Sequence, residues 1–259
     1  MIELIIMEAN TIIYLSIAWI LVAIITFPIL LKIKQPYGRH TQKNWGPTID
    51  NRLGWIIMEI PSLIIFATLV LIGPAEHSNP VWILFGLWTI HYFNRSIIFP
   101  FRTKTSGKRM PVIIMFSAIF FNLVNAGLNG YWLGFVAPPY PDAWLTDPRF
   151  IIGALIFVTG FIINQWSDKK LIGLRKGGKK GYFIPRGGLF NYISCPNFFG
   201  EIVEWTGFAI MAWNFPALSF AVWTAANLIP RALDHHKWYR AYFKDEYPKS
   251  RKAVIPYIV

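Results

Sequence analysis

A chain of 259 residues that is 54% apolar, 17% aromatic and only 15% charged, with a mean hydropathy of +0.42, is too apolar for a water-soluble domain. Its net charge of +12 does not describe a nucleic-acid face, because the basic residues lie between long apolar runs as cytoplasmic loops do. One cysteine, Cys195, excludes an internal disulfide and any multi-cysteine metal cluster, and unbroken runs exclude a transmembrane β-barrel.

The first apolar run, 10–31, is long enough to cross a bilayer. No basic segment or small-residue cleavage site precedes it, so a retained helix is expected. Glu3 and Glu8 come before it and Lys32, Lys34, Arg39 and Lys43 after it, which predicts an outside start and a cytoplasmic first loop. A second run, 53–72, contains Glu59 and Pro61. The loop after it, GPAEHSNP, has neither Lys nor Arg and belongs outside. The third run, 81–101, ends in His91, Tyr92, Asn94 and Arg95, and Arg102, Lys104, Lys108 and Arg109 mark the next cytoplasmic loop.

The fourth run, 112–136, carries Asn122, Asn125 and Asn129 and leads to an acidic, proline-rich outside loop. The fifth, 150–166, ends in Asn164, Ser167 and Asp168 before the basic stretch KKLIGLRKGGKKGYFIPRGG. The sixth starts near Asn197 and stops at the turn 213–216. The seventh, 217–228, continues into a polar segment with Arg231, His235 and Tyr239. The expected fold is therefore all-α: a polytopic membrane protein with seven transmembrane helices, N-terminus outside and C-terminus cytoplasmic. No repeat or separate soluble segment breaks it, so residues 1–259 read as one domain.

Polar side chains concentrate at the cytoplasmic ends of these runs. Glu59 is an exception, and a carboxyl inside an apolar helix is usually functional. It either packs against Arg95 or stays neutral and donates a hydrogen bond to a substrate carbonyl. Tyr92 reads equally as an interfacial aromatic or as a second donor to that oxygen. Arg95 reads as a pairing partner or a snorkelling side chain.

Asn164 and Asp168 are four apart and share a helix face, as do Asn197 with Glu201 and Arg231 with His235 and Tyr239. An acid beside an amide suits ribose hydroxyls, and Arg175 suits a phosphate. Polar faces at the ends of neighbouring helices are best explained by one shared polar ligand. Adjacent histidines on a helix diverge, so His235 and His236 predict no metal.

At these residues the chain resembles the steroid 5α-reductases. NQWSDKKLIGLRK, YFIPRGGLFNYISCPNFFGEIVEW, RALDHHKWY and EYPKSRKAVIPYIV carry the likeness, and HYFNR, the Glu59 helix and GYWL extend it thinly to the whole chain. The resemblance implies a seven-helix membrane reductase that uses NADPH on the Δ4 double bond of a 3-oxo steroid. It implies cofactor contacts at Asn164, Asp168, Arg175, Asn197, Glu201, Arg231, His235 and Tyr239, all within 150–259. It implies substrate-side helices over 10–136, with Glu59 and Tyr92 on the carbonyl and Trp55 as a wall. Met58 stands where a mammalian relative has glutamine, and Phe183 where mammalian members have a basic residue.

The expected partners are a lipophilic enone and membrane lipid, with no nucleic acid, and the chain is expected to be a monomer. The location is a bacterial inner membrane or the endoplasmic reticulum, with the cofactor site facing the cytoplasm. Competing readings are an enoyl-thioester or polyprenol reductase of the same architecture, an isoprenylcysteine-type membrane methyltransferase, or a transporter.

Overall fold

The computed structural model describes residues 2–33, 45–105, 107–174 and 181–259. Each apolar run forms a helix. Helix α1 spans Ile2–Lys32, and strand β1 (Thr48–Asp50) leads into α2 (Asn51–Ile72). The Asp50 side chain accepts the backbone N–H groups of Arg52 and Leu53, which caps the start of α2. Helix α3 (Asn79–Phe93) passes through a π-helical segment, Asn94–Ile98, into the short α4 (Phe99–Arg102). Strand β2 (Arg109–Pro111) pairs antiparallel with β1 and opens α5 (Val112–Tyr131), so the all-α expectation gains one small two-stranded sheet.

Helix α6 covers Pro148–Gly173, α7 Pro196–Ala212 and α8 Phe215–Phe243. The fifth apolar run thus continues as helix beyond Trp166, because falling hydropathy marks the end of the greasy part and not the end of the helix. Among the described residues, four segments are long and apolar enough to cross a membrane: Ile6–Lys32, Asn51–Ile72, Val112–Val136 and Pro148–Gly173. They expose apolar side chains outward, among them Ile25, Ile64, Phe116, Leu155 and Ile162. At 15 and 17 residues, α3 and α7 fall below the ~20 residues of an upright span. The polar residues Asn227, Arg231 and Asp234 interrupt α8.

Helices α6 and α7 touch along a glycine seam. A Cβ on Gly153 would meet the Met211 N at 2.5 Å, and one on Gly200 would meet the Asn164 N at 2.5 Å. Gly160 and Gly207 face the same crossing, where a Cβ would meet the backbones of Glu204 and Phe157. The neighbours are backbone atoms and cannot give way, so only glycine lets the helices come this close. The seam holds Asn164 and Asp168 of α6 beside Asn197 and Glu201 of α7.

The centre of the bundle is aromatic. Trp88 of α3 stacks on Phe66 of α2 at 4.4 Å and meets Trp205 of α7 at 5.1 Å and Phe220 of α8 at 5.0 Å. Its buried indole N–H donates to the Ser62 carbonyl at 3.1 Å. On the far side, Trp19 of α1 packs on Trp223 of α8 at 4.7 Å and donates to Asn125 of α5 at 3.1 Å. The chain's last residues fold back: Ser194 and Cys195 donate backbone N–H bonds to Lys252 and Ala253.

Candidate functional site

Two cavities lie near Arg95, which lines the larger and stands 3.7 Å from Asp168 in the lining of the smaller. The larger, about 490 Å³, has walls of Trp19, Trp55, Met58, Phe120, Phe220 and Trp223. Its polar groups include Glu59, Tyr92, Arg95, Asn122, Glu201 and Arg231. The smaller, about 280 Å³, is lined by Lys104, Asp168, Phe183, Asn197, His235 and Tyr239 among others. Trp55, Glu59 and Tyr92 therefore share one cavity with Glu201 and Arg231. The remaining expected cofactor residues cluster in the other, apart from Asn164, which lies between. Arg175 lies outside the described residues.

Arg95 joins the two. Its guanidinium lies 4.0 Å from Glu59, 3.7 Å from Asp168 and 3.7 Å from Glu201, reaching three helices from the π-helical segment. No single acid holds it at hydrogen-bond distance, so the cation is shared. It also lies over the rings of Trp55 and Phe99 at 4.8 and 5.0 Å. Trp55 donates its indole N–H to the Arg95 carbonyl at 3.1 Å. Such a bond supports backbone that a π-turn otherwise leaves weakly paired. Of the two expectations for Arg95, pairing is the one observed; the side chain does not run out to the surface.

Asn164, buried in the seam, donates to the Asn197 carbonyl at 3.0 Å and to Glu201 at 3.4 Å. It therefore ties the smaller cavity to the larger. The Tyr239 ring lies nearly parallel to Tyr247, 5.4 Å away. Asp168 sits within α6 and does not end it, because the helix runs on to Gly173.

Two arrangements were missed by the sequence reading. His91 Nδ1 lies 2.7 Å from Glu204 Oε1, with both side chains buried. The spacing of His91 and Arg95, four apart on one helix, was the available signal. The second is a half-buried chain of hydrogen bonds in which Ser194 Oγ lies 2.6 Å from His236 Nδ1 and 2.6 Å from the Tyr247 hydroxyl. His236 lies beyond the apolar part of α8. Burial pushes its imidazole below the usual histidine value, and the positive charges of Arg240, Lys252 and Arg251 add to this.

A histidine kept neutral in the fold adds stability above its ordinary pKa, about 6.5. That stability is lost as pH falls from there through the lowered folded value. The melting temperature of the detergent-solubilised protein, read by tryptophan fluorescence, is expected to drop between pH 7 and pH 5. The His236→Gln variant should show a flatter profile, and equal profiles would remove His236 as the cause.

Comparison with known proteins identifies the family. Residues 108–259 match the family model described as 3-oxo-5-alpha-steroid 4-dehydrogenase. The steroid 5-alpha-reductase DET2 of Arabidopsis thaliana is 44% identical over 238 residues, 89% of this chain and 90% of the relative. The DET2 protein of Gossypium hirsutum is 44% identical over 243 residues, 92% of this chain and 93% of its own length. The 3-oxo-5-alpha-steroid 4-dehydrogenase 1 of Bos taurus is 41% identical over 240 residues, 91% and 92% of the two chains. On the family model and on relatives aligned over most of both lengths, the chain belongs to the 3-oxo-5-alpha-steroid 4-dehydrogenase family.

Proposed function

We propose that the protein is a membrane reductase that uses NADPH to saturate the Δ4 double bond of a 3-oxo-Δ4 steroid. The observation that carries this reading is the junction at Arg95. An aromatic cavity with Glu59, Tyr92 and Arg95 in its wall stands beside a second cavity that carries Asp168, Asn197, His235 and Tyr239, with Arg95 3.7 Å from Asp168. A flat apolar substrate suits the first and a dinucleotide suits the second. Relatives named for the same steroid chemistry favour this substrate over a thioester, a polyprenol or a methyl acceptor.

The donor set fits a nicotinamide dinucleotide. Asp168 with the amides of Asn164 and Asn197 supplies acceptors and donors for sugar hydroxyls. Arg175, outside the described residues, supplies positive charge for phosphates, and Arg231 lines the larger cavity with Glu201, on the side where the cofactor would reach the substrate. Glu201, in contact with Asn164 and Arg95, faces the larger cavity where the nicotinamide end would enter. When bound, the cofactor supplies a hydride to the β-carbon of the enone.

The residues act on the charge that this transfer leaves on the carbonyl oxygen. Tyr92 donates its hydroxyl to that oxygen, and Glu59 orients it or donates a second bond. Both are held in the wall of a largely apolar cavity, where such donors act most strongly. Solvent then protonates the α-carbon of the substrate enolate.

The same reading gives seven helices across the bilayer, in one domain that works as a monomer. The start lies outside, and the cofactor cavity faces the cytoplasm. Its support is the alternation of loop charge together with a helix over every apolar run. Purified protein mixed with NADPH and testosterone or progesterone is expected to lose 340 nm absorbance only when steroid is present. No steroid-dependent loss, or transfer of a labelled methyl group from S-adenosylmethionine instead, would overturn the assignment.

A further inference from the structure

Helices α3 and α7 are joined by two polar rungs one turn apart. His91 bonds Glu204 at 2.7 Å, and Arg95 pairs with Glu201 at 3.7 Å. The order is antiparallel: the earlier residue on α3 meets the later residue on α7. Neither His91 nor Glu204 lines either cavity. We propose that the His91–Glu204 rung is a positioning device that fixes Tyr92 relative to the helix bearing Glu201. This rests on the reading of Tyr92 as the carbonyl donor and adds to it the residues that place that donor.

A helix that passes into a π-segment has a weak point, since its hydrogen-bond ladder changes register there. Tyr92 lies just before that point and Arg95 within it. Without an outside fixing, a small rotation of α3 would carry the Tyr92 hydroxyl away from its target. The hydrogen bond from His91, the residue next to Tyr92, resists that rotation because it is directional.

The other end of the rung is equally held. The backbone at Glu204 is what a Cβ on Gly160 would strike, so α7 is pinned to α6 at that residue. Trp205, next to Glu204, packs on both His91 at 4.7 Å and Tyr92 at 5.9 Å. The contact path therefore runs from Asp168 and Asn164 on α6, through the seam, to Glu204, His91 and Tyr92. Glu204 Oε2 is buried with no hydrogen-bond partner among the described residues. A pair kept for stability alone is readily replaced by apolar side chains, often at no cost.

The test uses the full-length protein in nanodiscs with NADPH and testosterone, comparing His91→Leu/Glu204→Leu with Glu204→Gln. The apolar double variant should melt close to the parent yet lose about 10- to 100-fold in kcat, with KM for NADPH held, as a small misplacement of a reacting group does. Glu204→Gln keeps a neutral hydrogen bond of about half the strength. It should therefore retain most of the turnover. In infrared difference spectra, the carbonyl stretch of bound steroid should lie at higher frequency in the double variant than in the parent.

A double variant with parental kcat and an unshifted carbonyl would overturn the positioning role while leaving the reductase reading intact. So would a Glu204→Gln variant as impaired as the double. A parent protein that consumes no NADPH with steroid would instead sink the functional reading on which the inference stands.

Discussion

Replacing Tyr92 by phenylalanine is expected to slow steroid reduction about a hundredfold, the usual cost of removing one donor from a developing oxyanion. Affinity for NADPH should not change. The substitution is clean because the ring is fixed by packing: it lies 5.1 Å from Trp88, 5.0 Å from His91 and 5.9 Å from Trp205. Phenylalanine can occupy the same space, so only the hydroxyl is lost. Glu59→Gln is a less selective probe, since it also changes the carboxyl group that lies 4.0 Å from Arg95. If both groups act on one oxygen, the double variant should be little slower than the worse single variant. Single-turnover rates at saturating NADPH measure this directly. A Tyr92→Phe protein that reduces testosterone at the parental rate would remove Tyr92 from the chemistry.

The helices were legible because an apolar run of bilayer length has few other ways to satisfy its backbone. The polar faces were legible for a similar reason. Asn197 and Glu201, or Arg231, His235 and Tyr239, share a face by helix geometry alone. Contacts between distant segments were not legible. His91 meets Glu204 from 113 positions away, and Ser194 meets Tyr247 from 53, and neither pair has a spacing that reports it. The pairing of Thr48–Asp50 with Arg109–Pro111 involves three residues a side, too few to leave an alternating pattern. The glycine seam also escaped notice. Gly153, Gly160, Gly200 and Gly207 look unremarkable singly and acquire meaning only when the two helices are laid together. Two of the quoted motifs, YISCPN and YPKSRKA, proved to be one structure, since the tail bonds to the segment that opens α7.

The largest loss of stability is expected from Arg95→Leu. The side chain is 14% exposed and is the cation placed among Glu59, Asp168 and Glu201. Stripping the partner from buried carboxylates costs about 3–5 kcal/mol, far more than any exposed ion pair contributes. For a chain of this size that corresponds to a drop of roughly 10 °C in melting temperature. Arg95→Lys should recover only part of this. An ammonium is a single point of charge and cannot present a planar group to three acids on separate helices, nor lie over Trp55 and Phe99 as the guanidinium does. The origin of the loss can be separated from simple loss of packing. Adding Glu59→Gln to Arg95→Leu removes one of the stranded carboxylates. The double variant should therefore melt above the single, whereas additive destabilisation is expected if the groups do not interact. Differential scanning fluorimetry in one detergent resolves the cases. An Arg95→Leu protein that melts with the parent would mean that the three acids do not depend on this cation. The junction between the two cavities would then need another explanation.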